Sequence, residues 1–200
     1  MSKAGNKIFR FFIRPLLLFC VLSSCAEAIE DDRAIAFRDD CAITLGDFQI
    51  TQEKLLSAGW VSVGVDAHSE LNAVMSYAKN LDAKLLEVSS YSYYQKSINT
   101  DEMFLVLTHV PTQGAFVNGC YLYDFDATKA DASKVIEEWL GEPPTETLFH
   151  PDLIQQRKWV SPKSLPKMAT VRVGLVFEGG SVAEDIGFSG AMWAATAIAN

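Results

Sequence analysis

Two hundred residues, 49 % hydrophobic and 21 % charged, suffice for one domain with a buried core and exclude a disordered chain. The formal charge of −8 repels phosphate backbones and anionic lipid, so nucleic-acid binding and electrostatic membrane docking are set aside. The acidity serves solubility, and a cationic partner fits it better than a polyanion.

At the amino terminus Lys3, Lys7, Arg10 and Arg14 precede the apolar run Leu16 to Leu22, and Ser23 to Ala28 is small and polar. Basic, apolar and small-polar regions in that order form a secretory signal, here residues 1–28. The apolar run is too short to span a bilayer, which takes about 20 residues. Ala26-Glu27-Ala28 is an A-x-A cleavage site that predicts a soluble product starting at Ile29. Leu22-Ser23-Ser24-Cys25 also resembles a bacterial lipobox, which would make Cys25 a lipidated first residue. Removing four basic residues and Glu27 leaves a mature chain three charges more acidic, at −11. Export leaves Cys41 and Cys120, and two cysteines in an oxidising compartment predict one disulfide. Closing a loop of about 80 residues would stabilise the fold by roughly 4 kcal/mol on the chain-entropy account.

Residues 29–46 read as an extended segment, and 47–200 as one globular domain. A helix is predicted from Thr51 to Ala58 with Gly59 just past its end, followed by a strand over 60–65. Asp66 is placed to cap a helix whose apolar positions Leu71, Val74, Met75, Ala78, Leu81 and Leu85 recur at three and four. Met103–Val110 is apolar on both faces, which predicts a central strand covered on both sides. With Pro111-Thr112-Gln113-Gly114 as turn and 115–123 returning, it forms a hairpin. Ala132, Val135, Ile136, Trp139 and Leu140 mark a further helix, started by Thr128 or Asp131 and stopped at Gly141. Pro151, Pro162 and Pro166 predict an irregular surface segment over 145–167. Residues 171–177 alternate as a strand, and Ser181 to Glu184 has the form of a capping box. The small apolar stretch Gly190 to Ala199 is expected to pack on the core. The fold class is therefore α+β, a mostly antiparallel sheet with a central hairpin, flanked by two or three helices.

No catalytic motif stands out. Cys120 and His109 could form a thiol dyad, but a turn centred on Thr112-Gln113 pairs His109 with Phe116 and Cys120 with Leu105. That separates the two by four residues, about 13 Å, against a reach of about 3 Å. His68, His109 and His150 lack metal-ligand spacing, so no metal and no cofactor is expected. Asp124-Phe125-Asp126 fails as a calcium loop, because its sixth and twelfth positions are Lys129 and Val135. Gly179-Gly180 and Gly187 to Gly190 match no nucleotide-binding or nucleophile motif. Tyr91, Tyr93, Tyr94, Tyr121 and Tyr123 form the densest aromatic region and the best candidate binding surface for a sugar or peptide.

These features point to an exported, periplasmic or secreted binding domain with an unidentified envelope protein or small molecule as partner. The rival is an envelope hydrolase whose residues meet only in three dimensions. Convergence of two or more of His68, His109, His150, Asp124 and Asp126 in one cleft would favour that rival. A lipoprotein anchored through Cys25 is the third reading.

Overall fold

The computed structural model describes residues 31–81, 89–129 and 133–199. The predicted signal segment with Cys25, Ala26 and Ala28 lies outside the described residues, as do Leu85, Asp131 and Ala132. Among the described residues no helix is long and apolar enough to cross a membrane.

Strands β1 (Val61–Val63), β2 (Ser90–Ile98), β3 (Asp101–Pro111), β4 (Phe116–Asp124), β5 (Glu146–His150), β6 (Ile154–Val160), β7 (Met168–Val176) and β8 (Gly190–Ala199) form one sheet. Their order is β1-β2-β3-β4-β8-β7-β6-β5, every neighbour antiparallel. Two four-stranded meanders thus meet along β4 and β8. The antiparallel α+β class holds, but the predicted central hairpin is one step of a long meander. Three stretches not read as strands account for the difference. In β2, Tyr91 and Tyr93 face one side and the buried Tyr94 and Ile98 the other, so no apolar–polar alternation is visible. In β5 and β6 the prolines sit in the bounding turns, where a missing N–H costs no ladder bond. In β8 small alanines fill the sheet's centre beside Trp193, which is fully buried.

The β3–β4 hairpin also turns one residue later than expected. Thr112 N and Oγ1 both donate to the Ala115 carbonyl at 2.9 Å, and Gly114 takes φ +84°. Pro111 therefore pairs with Phe116, His109 with Asn118, and Leu107 with Cys120. Every partner shifts by two residues, so each side chain keeps its predicted face.

One face of the sheet is covered by α1 (Asp32–Ala36), α2 (Phe48–Ser57) and α4 (Ser133–Leu140), the other by α3 (Ser69–Leu81) and α5 (Ser181–Ile186). Residues 32–44, expected to be extended, are helical: α1 continues into a π-helical turn, Phe37–Cys41, and a short 3₁₀ turn, Ala42–Thr44. Asp31 caps α1 by accepting from the Arg33 N–H at 3.0 Å. Ala34, Phe37 and Cys41, three and four apart, are fully buried. That period is too short, and too full of charge, to read without the sheet beneath it. Asp47 caps α2 by accepting from the Gln49 and Ile50 N–H groups, which starts the helix before Thr51. Two expected caps do not form. The chain makes a 3₁₀ turn at Val65–Ala67 and α3 begins at Ser69, with His68 Nδ1 rather than Asp66 accepting from the Glu70 N–H at 3.3 Å. Gly180, not Ser181, precedes α5, and no side chain caps it.

Candidate functional site

The antiparallel register lines up side chains across the sheet on the face that carries α3 and α5. One row runs Tyr93, Val106, Tyr121, Ala194, Arg172, Lys158 and Glu146. The adjacent row runs Tyr91, Thr108, Gly119, Thr196, Thr170 and Val160. Tyr91, Tyr93 and Tyr121 thus stand together, each partly buried. Two of the five tyrosines of the predicted surface do not belong to it. Tyr94 alternates to the opposite face and is 3 % exposed, and Tyr123 is 6 % exposed against Phe125 and Phe188.

Gly119 makes this arrangement fit. A Cβ there would lie 2.6 Å from Tyr121 Cε2 and 2.5 Å from Thr108 Oγ1, so the Tyr121 ring lies over bare backbone. Thr108 Oγ1 and the Tyr121 hydroxyl both crowd the position that a Gly119 Cβ would take. Burial pushes the Tyr121 pKa up, and the charge of Arg172 only partly opposes this, so the phenol stays protonated. Burial acts in the same direction on Tyr91 and Tyr93. Beyond them the Thr170 and Thr196 hydroxyls bond each other at 2.8 Å. Arg172 carries a buried Nε with no hydrogen-bond partner. The neighbouring Lys158 is held by Glu146 at 3.0 Å.

Two hollows open beyond the end of β4, the larger bordered also by the end of β7 and the start of β8, the smaller by α1 and the start of β3. The larger, about 390 Å³, is lined by Glu70, Phe125, Asp126, Glu178 and Ser189 among others. The smaller, about 300 Å³, includes Arg33, Asp101, Asp124, Asp126 and Lys129. Glu70 Oε1 accepts from the Ser189 N–H at 3.2 Å. Arg33 is clamped between Asp31, at 2.9 Å, and Asp124, at 2.7 Å, and lies 5.1 Å from the centre of the Trp193 ring. Burial works against its charge, but the bonds and charges of both aspartates outweigh that and raise its pKa above the ordinary value. Asp124, 1 % exposed, therefore ties α1 to the sheet.

The histidines go to three separate places. His68 stacks on Phe125 at 4.7 Å. His109, on the opposite face, stacks on Phe116 at 4.1 Å and bonds Asn118 Oδ1 at 2.7 Å. His150 ends the exposed edge strand β5. Asp124 and Asp126 do share a hollow, but they are sequence neighbours and Asp124 is committed to Arg33. Among the described residues no three His, Cys, Asp or Glu side chains could hold a metal. Cys120 is bonded to Cys41, their Cα atoms 6.3 Å apart. It is unavailable as a nucleophile even though the register puts it two residues from His109's partner, nearer than expected.

Sequence reasoning missed Thr108, Gly119 and Arg172. The only signal was a charged residue alternating with valines in 171–173; what faces it follows from strand order. Comparison with protein-family models, with curated proteins and with solved structures finds no match to this chain.

Proposed function

We propose that this protein is an exported binding domain of the cell envelope that engages a small molecule or partner through the face bearing Tyr91, Tyr93 and Tyr121. The observation that carries the reading is the grouping of three part-exposed tyrosines with the hydroxyls of Thr108, Thr170 and Thr196 on one stretch of rigid sheet. Tyrosine offers an apolar ring and a polar tip at low entropic cost, which suits recognition better than chemistry. The Cys41–Cys120 disulfide supports an oxidising compartment. The signal-like first 28 residues support export, with cleavage after Ala28 or lipidation at Cys25 deciding between a free and an anchored product.

The shared hollow of Asp124 and Asp126 favours the rival reading, an envelope hydrolase. Asp126 would be its working carboxylate, since Asp124 is held by Arg33. Tyrosine-ring NMR with a panel of neutral sugars, amino acids and short peptides separates the two. Ligands are expected to move the ring signals of Tyr91, Tyr93 and Tyr121 and to leave the buried Tyr94 unmoved. Shifts confined to Phe125, Asp126 and Ser189 would replace the tyrosine face with the hollow.

A further inference from the structure

We propose that β5 is an interface strand: along its free edge it pairs antiparallel with β5 of a second copy of this chain, about a two-fold axis perpendicular to the sheet. This pairing is independent of the tyrosine face and would stand without it.

The two edges of the sheet are built differently. At one end β1 has only three residues, and so short an edge offers little ladder to a partner. At the other end β5 has five, every one of them exposed. Its pairing with β6 runs unbroken from Glu146–Lys158 to His150–Ile154, with no bulge to twist the edge away. Neither proline nor lysine, the usual guards of an edge, stands within the strand. Leu148 is 40 % exposed and Phe149 60 % exposed, so both faces of β5 show apolar surface to solvent. Alternate N–H and C=O groups point away from β6, and among the described residues no strand lies beyond to take them.

The residues of β5 select a second copy as the occupant, because the strand is complementary to itself. Directly opposite residues of an antiparallel pair share a face, so the two-fold axis passes between a residue and its own equivalent. The register that uses all five residues puts Leu148 on that axis, against Leu148 of the second copy. Thr147 then meets Phe149 and Glu146 meets His150, each twice. Apolar side chains pair at the centre, and a carboxylate pairs with an imidazole at both ends. Glu146 accepts from Lys158 Nζ at 3.0 Å, and its carboxylate has lone pairs left for an imidazole N–H. The chain's charge of −8 opposes association of two copies at long range. The β5–β6 hairpin is neutral, however, since Glu146 and Asp152 balance Arg157 and Lys158. Five residue pairs make a smaller seam than the about 1,200 Å² of a stable complex, so the dimer is weak and concentration-dependent. The contact is isologous, uses both free β5 edges and closes at two copies.

The test is sedimentation velocity of the whole chain, its disulfide intact, from about 1 μM to about 1 mM, the range in which weak pairing shows. The unaltered protein is expected to pass from monomer to dimer with no larger species. Leu148→Lys and Leu148→Glu each set like charges against each other at the axis, and each should weaken dimerisation about tenfold. Mixed in equal amounts, the two variants should dimerise with one another, since opposite charges then meet there. A variant that had merely misfolded would gain nothing from its counterpart. A chain that stays monomeric throughout would overturn the proposal. So would a dimer as tight in Leu148→Lys as in the unaltered protein, which would move the contact to another surface. Species larger than a dimer would overturn the closed pairing. Variants that fail to pair when mixed, while the unaltered protein dimerises, would overturn the register.

Discussion

Arg33 and Arg172 are two partly buried arginines in opposite electrostatic situations. The first is satisfied by two carboxylates and works as a clamp; the second has no ion-pair partner among the described residues, and its Nε is buried. Neither role is visible in the sequence, because Asp124 lies 91 residues from Arg33 and the row through Arg172 crosses seven strands. The disulfide was legible at this scale, since setting aside the predicted signal segment leaves only two cysteines. Cys41 and Cys120 are 79 residues apart and fully buried. Each of Cys41→Ser and Cys120→Ser should lower the melting temperature to a similar extent, by up to about 4 kcal/mol of stability on the loop-entropy account. The double variant should be no worse than either single one. Clearly additive losses in thermal unfolding would contradict the pairing.

Among elements, what the sequence revealed depended on contrast between faces. The helix at 133–140 and the covered strand Asp101–Pro111 were readable because their apolar residues have a period or an unbroken run. Strands β2 and β8 were not, because both of their faces meet other side chains and neither shows alternation. The entry to β8 shows how tightly the meanders join. Gly190 has φ +112°, and an added Cβ would overlap the Asp124 carbonyl oxygen and press on the Phe125 backbone. Gly114 in the β3–β4 turn has φ +84°, but nothing lies within 4 Å of where its Cβ would stand. Gly114→Ala should therefore cost only the backbone strain, about 1 kcal/mol. Gly190→Ala should cost several times more, since backbone must also move. Denaturant midpoints measure both, and equal losses would mean that the β4–β8 seam yields more easily than its geometry indicates.

On the scale of the whole molecule, the antiparallel α+β class was legible and the meander was not, because strand order depends on which distant edges meet. The disulfide joins the helical amino-terminal segment to the middle of β4, a central strand, and Arg33–Asp124 fastens the same segment to the end of that strand. A segment expected to be extended is thus built into the core. This construction fits a protein that leaves the cytoplasm, loses its basic leader and folds under oxidising conditions. The most direct test of that central claim is the intact mass of the protein made in its own cell, taken from soluble and membrane fractions before and after reduction with thiol alkylation. The account predicts a soluble product starting at Ile29 that takes up two alkyl groups only after reduction. A full-length chain in the cytoplasm, alkylated without reduction, would contradict it.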